Sequence, residues 1–193
     1  MKVLSLFFAL TSIAALNFFI ACGDSSSSPP PPLPAPVNSI PASKLQDPVD
    51  VVRVIDGDTI EIRKGAELFR VRFQGVDTPE LHPDPEGSPP EAFAEAARSF
   101  TLLNIGSQVD LEFDSSCDTS SNPFLTCVDQ YDRLLAYIRS ANGQDLCVKL
   151  LREGLATVYR RPRGDLPPFD RQATYLLMEA EAKSAARGIW SDP

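Results

Sequence analysis

The chain has 193 residues, 43% of them hydrophobic and 23% charged, and 18 Lys and Arg against 26 Asp and Glu leave a formal charge of −8. That length allows one domain with a real core plus appendages. The acidic balance excludes a protein that grips nucleic acid by overall charge, because phosphate contacts supply much of such affinity.

Residues 1–21 read as a secretory signal, with Lys2 before an apolar run broken only by Ser5, Thr11, Ser12 and Asn17. Its end, Phe19-Ile20-Ala21-Cys22, resembles the lipobox of bacterial lipoproteins, which makes Cys22 the lipidated residue. A single membrane helix is the alternative reading of so long a run. Residues 22–44 contain four consecutive serines and four consecutive prolines, so they bury no apolar surface and read as an extended tether. The folded domain is expected over 45–193. Only Lys2, Asp24 and Lys44 carry charge before it, so the acid excess belongs to the domain. These features predict an exported monomer held at the cell envelope, periplasmic or outer, by an N-terminal lipid anchor.

Beyond the tether the pattern is one of strands. Alternating or β-branched runs predict strands over 49–55, 59–63, 68–73, 109–113 and 134–139. Helical patterns occupy 90–103, 145–153 and 169–187, with Gly154 and Gly188 as stop signals. Residues 80–90 form a Pro- and acid-rich loop. Five short strands with three helices predict an α+β fold, and a small closed barrel satisfies five edge-prone strands.

Of four cysteines, Cys117 and Cys127 bracket a loop-like stretch in a chain destined for an oxidising compartment, which favours pairing between them. Cys147 lies in an amphipathic helical pattern and reads as a small buried residue, although a bridge to it stays open.

Four motifs carry chemistry: Asp56-Gly57-Asp58-Thr59, Arg70-Val71-Arg72 leading to Asp77-Thr78-Pro79-Glu80, Asp129-Gln130-Tyr131-Asp132-Arg133, and Arg160-Arg161-Pro162-Arg163. Singly each has an ordinary explanation, since Asp-Gly is a common turn and basic triplets are usually surface. Together they differ. Asp58 and Asp77 are hard carboxylates in a chain with one His, and oxygen ligation favours Ca²⁺ or Mg²⁺ over zinc. Forked arginines suit a phosphate, and Glu80 suits a general base. Metal, arginines and base are the parts that phosphodiester hydrolysis needs.

Ile55-Asp-Gly-Asp-Thr59, Arg72-Phe-Gln-Gly-Val-Asp-Thr-Pro-Glu80 and Tyr131-Asp-Arg-Leu-Leu-Ala-Tyr137, with Leu151-Arg-Glu-Gly-Leu-Ala156, Glu179-Ala-Glu-Ala-Lys183 and Gly188-Ile-Trp-Ser191, resemble the staphylococcal nuclease family in order along the whole domain. The resemblance implies a five-stranded OB-fold barrel with three helices. It implies a Ca²⁺-dependent nuclease acting on DNA, RNA or both, cleaving the P–O5′ bond to leave 3′-phosphates. Asp58, Asp77 and the Thr78 carbonyl would hold the metal, while Arg72 and Arg133 would hold the phosphate. Glu80 would activate water, Tyr131 and Tyr159 would lie near the nucleotide, and Asp56 would shape the metal loop. A non-catalytic nucleic-acid-binding module of the same family is the alternative.

Three features depart from the family pattern. Asp132 replaces a customary Gly and is placed to pair with Arg133 or to face solvent. Residues 115–128 form a longer connection that holds Cys117 and Cys127. The domain is acidic where the family's namesake is basic, which points to single-stranded or short substrates and salt-sensitive binding. The Arg160–Arg163 cluster is expected to offset that charge locally.

Overall fold

The computed structural model describes residues 46–191 except 84, so the predicted signal, Cys22 and the tether lie outside the described residues. In chain order the elements are β1 (Val49–Asp56), β2 (Thr59–Lys64), β3 (Glu67–Phe73), β4 (Val76–Asp77), α1 (Ala94–Ile105), β5 (Gln108–Glu112), α2 (Pro123–Thr126), β6 (Leu134–Ser140), α3 (Leu146–Arg152), β7 (Thr157–Val158) and α4 (Gln172–Ser184). A 3-10 turn over Gly188–Trp190 follows.

Period-two alternation builds the barrel. Ile60, Ile62, Val71, Phe73, Leu111, Leu134, Ala136 and Ile138 are at most 1% exposed and fill its interior. The strands hydrogen-bond in the order β1-β2-β3-β6-β5 and close on themselves, so the barrel has no free edge. Four joints are antiparallel; the fifth, β3 to β6, is parallel and sets Arg72 opposite Leu135. The fold is therefore the expected α+β five-stranded barrel with three helices of seven residues or more.

The five predicted strands fall within one residue of the observed ones. Three elements, β4, β7 and α2, escaped prediction by being short. β4 and β7 contribute two residues each and pair Val76 with Val158 and Asp77 with Thr157. The four-residue α2 starts where the Asn122 side chain accepts the Phe124 N–H and Pro123 occupies the first turn. Helix α1 begins at Ala94 rather than at 90, because Phe93 takes φ 68° and the chain before it is bound elsewhere.

Polar clusters tie the helices to the barrel. The Asp114 carboxylate accepts from the Tyr137 hydroxyl, the Ser116 N–H at 3.0 Å and the Asp170 N–H at 2.7 Å. Asp145 caps α3 through the Cys147 N–H at 2.9 Å and forms an ion pair with Arg171. Cys117 and Cys127 form a disulfide with Cα atoms 5.5 Å apart, while Cys147 is buried and free. Phe124, inside the disulfide loop, packs edge-on against Phe69 and Phe113, so the loop is anchored by the core as well as by sulfur.

Glu179 on α4 is 3% exposed and supports the strand behind Asp77. Its carboxylate accepts from the Val158 N–H at 3.0 Å, from Arg160 and from Lys183 at 2.8 Å. Burial alone would raise its pKa, but these donors carry it from 4.5 down to about 2. A depressed carboxylate stabilises the fold above its unfolded value and loses that contribution as pH falls through the folded one. Glu179→Gln is therefore expected to cost about 2 kcal/mol at pH 7, allowing for screening at the open Arg160. The difference from wild type should shrink between pH 4.5 and 2, as read by urea unfolding across that window.

Candidate active site

The tight connection between β1 and β2 presents the first two acids. Asp56 folds back on the turn, with one oxygen accepting the Gly57 N–H at 2.8 Å and the other the Leu81 N–H at 3.2 Å. Gly57 has no room for a side chain: a Cβ there would lie 2.7 Å from Thr78 Oγ1 and 2.8 Å from the Ala97 Cβ. The turn thus packs directly against both the Thr78 loop and α1.

Asp58 is 2% exposed and points at β3 and β4. Its Oδ1 accepts the Thr59 hydroxyl at 3.0 Å, and its Oδ2 accepts the Thr78 N–H at 2.7 Å. Arg72, 8% exposed, sends Nη1 to Asp58 Oδ2 and Nη2 to Asp77 Oδ1. One guanidinium therefore bridges two carboxylates, one from the β1–β2 connection and one from β4.

Glu80 reaches the surface beside this pair. Partial burial, a hydrogen bond with Asp56, and the charges of Asp58 and Asp56 push its carboxyl up to about 8, against the pull of Arg72. Asp77 is also raised, first by burial and then by Asp58 and Glu91, with Arg72 opposing. Three carboxyl groups thus act on one buried cation, with Asp56 against Glu80, an arrangement short of positive charge.

That deficit fits a hard divalent cation. The donors are all oxygens, and Thr78 Oγ1 is buried without a hydrogen-bond partner among the described residues. Three ligating side chains do not converge into a ready-made cage among the described residues. Arg72 instead shares the acids Asp58 and Asp77.

The other predicted site residues lie on neighbouring elements. Arg133 enters β6 two residues before Leu135, the register partner of Arg72. Its Nε and Nη2 both reach Asp129 Oδ2 at 2.8 Å, and Asp129 Oδ1 accepts the N–H groups of Tyr131 and Arg133. Asp129, not Asp132, is thus the partner of Arg133. Asp132 is exposed and takes φ 59°, the conformation that a Gly would adopt freely. Tyr131 is 69% exposed with Arg133 5.4 Å from its ring centre. Tyr159 is 37% exposed and donates its N–H to the Gly75 carbonyl at 3.0 Å.

The basic cluster is less available than its composition implies. Arg160 pairs with Glu179 and Arg161 with Asp165, so the offset to the acidic surface is smaller than expected. Asp129 lies in a motif that the sequence singles out, but its grip on the Arg133 side chain was not read there; Glu91 was not singled out at all, because it acts through a backbone contact that no residue pattern encodes.

Comparison with known proteins gives the chain's relatives. A profile described as staphylococcal nuclease homologue matches residues 70–192, which spans β3 onward and leaves the Asp56–Asp58 turn outside. A thermonuclease of Staphylococcus intermedius is 39% identical over 145 residues, covering 72% of this chain and 74% of its own. A thermonuclease of Staphylococcus hyicus is 32% identical over 145 residues, with 74% and 75% covered. Endonuclease YncB of Bacillus subtilis is 34% identical over 143 residues, covering 74% of this chain and 61% of its own. With the barrel and the Arg72-bridged acid cluster in place, the chain belongs to the staphylococcal nuclease family.

Proposed function

We propose that the chain is a Ca²⁺-dependent nuclease that hydrolyses the P–O5′ bond of DNA, RNA or both and leaves 3′-phosphates. The observation that carries this reading is the buried Arg72 guanidinium bridging Asp58 and Asp77 with Glu80 beside it. The names of the related nucleases support it. In this reading Asp58, Asp77 and Thr78 hold the cation. Bound there, Ca²⁺ supplies Lewis-acid polarisation of the phosphoryl group and positive charge among the acids.

The chain's own residues then divide the work. Arg72 is oriented by Asp58 and Asp77 before substrate arrives, and the N–H groups not directed at those acids are what it offers to the charge that builds on the phosphoryl oxygens. Arg133 supplies a second fork, which the substrate shares with Asp129. Glu80 takes the proton from the attacking water. That role needs its carboxyl ionised, against the upward push of burial and the neighbouring Asp56 and Asp58. Tyr131 offers an exposed ring on which a base can stack, with Tyr159 on the Gly75 side. The acidic surface and the paired Arg160 and Arg161 favour single-stranded or short substrates bound more weakly as salt rises.

We also propose that the protein is exported and tethered at the envelope through Cys22, a reading supported by the signal pattern and by the Cys117–Cys127 disulfide. End-group analysis of a digested, denatured oligonucleotide tests the chemistry. Fragments with 3′-phosphates that a phosphatase removes are expected; 3′-hydroxyl, 5′-phosphate fragments would contradict P–O5′ cleavage.

A further inference from the structure

We propose that Glu91 is a positioning residue for Glu80, clamping the backbone of the general base at two points. The inference rests on the nuclease reading above. The Glu80 N–H donates to Oε2 of Glu91 at 2.9 Å, and the Glu91 N–H donates back to the Glu80 carbonyl at 3.0 Å. These two bonds close the neck of the 81–90 excursion, so changes within that loop need not reach Glu80. One of the two passes through a side chain and carries the strength of a charged acceptor. It can therefore be removed without altering the chain.

The other side of Glu91 is a rigid support. The Ala94 N–H donates to the Glu91 carbonyl at 3.1 Å, and Phe93 between them holds φ 68°. For an aromatic residue that conformation costs roughly 1–2 kcal/mol, retained only where the surroundings enforce it. The turn it makes lets the chain leave the clamp and enter α1 directly. Further along this 12-residue helix, Ala97 abuts Gly57 and the Thr101 hydroxyl donates to the Gly57 carbonyl at 2.6 Å. A single helix thus ties the Glu80 backbone to the turn that presents Asp56 and Asp58. Glu91 itself is exposed and outside the core, so besides its charge acting on Asp77 the clamp is what its side chain contributes.

The test compares wild type, Glu91→Ala and Glu91→Gln in the full chain with Ca²⁺ and denatured DNA. Glu91→Ala should lower kcat about 10- to 100-fold, the usual scale for a catalytic group displaced by an ångström, with KM within about twofold. Glu91→Gln keeps an acceptor oxygen and should recover to within about threefold of wild type. Amide hydrogen exchange at Glu80 should quicken in Glu91→Ala and stay slow in wild type and Glu91→Gln. Unchanged kcat in Glu91→Ala, a loss confined to KM, or equal damage from both substitutions overturns the proposal. A fast-exchanging Glu80 amide in wild type overturns the clamp whatever the activity. Wild-type inactivity with a protected amide would instead overturn the nuclease reading and the catalytic role built on it.

Discussion

Replacing Arg72 by lysine should lower Ca²⁺-supported hydrolysis by about 10²- to 10³-fold, the scale for losing a preorganised charge-stabilising donor. The substitution keeps the charge and removes the fork. One ammonium cannot reach Asp58 Oδ2 and Asp77 Oδ1 together as the two Nη atoms do. Asp58 is 2% exposed, so weakening its partner leaves a buried carboxylate short of compensation. Breaking a buried pair outright costs about 3–5 kcal/mol, and retaining a cation should hold the loss to about 1–2 kcal/mol. Steady-state kinetics and urea unfolding of the same preparation separate the two effects. A lysine variant within about fivefold of wild-type kcat/KM would show that the bidentate geometry is not used.

Glu80→Gln carries the second large effect, an expected loss of about 10²- to 10⁴-fold in kcat. An amide keeps the shape but cannot accept the proton from water. The stability change should run the other way. Asp58, Asp77 and Glu80 act on one guanidinium and Asp56 faces Glu80, so removing the Glu80 charge relieves like-charge repulsion. In calcium-free buffer the variant should gain up to about 1 kcal/mol, modest because Glu80 is solvent-exposed. Loss of activity together with loss of stability would mean that Glu80 supports the fold rather than the reaction.

Much of this arrangement was legible in the residues themselves. Alternation over 68–73 and 134–139 marks strands because one face of each is buried. Asp56-Gly57-Asp58 joins the first two strands and Asp77-Thr78-Pro79-Glu80 follows the third, so pairing Thr59 with Arg72 brings their acids together. What was hidden depends on pairing across space. β4 and β7 are two residues long, below the reach of any periodicity, yet they hold Asp77 in place. The start of α1 was misplaced because 90–93 looks helical by composition, whereas Glu91 is bound to Glu80 and Phe93 turns the chain. Asp132 drew attention by its adjacency to Arg133, but a left-handed backbone turns it to solvent and leaves Asp129 as the partner. The arginines at 160 and 161 counted as free charge in the sequence and prove to be paired.

The central claim is that the acids around Arg72 form a metal-dependent phosphodiesterase site. Release of acid-soluble nucleotides from denatured DNA by the full chain, in Ca²⁺ and in Ca²⁺ with excess chelator, tests it most directly. The account predicts hydrolysis with Ca²⁺ that the chelator abolishes and that Asp58→Asn or Asp77→Asn lowers severely. Hydrolysis undiminished by the chelator, or nucleic-acid binding with no cleavage under any divalent cation, would contradict it.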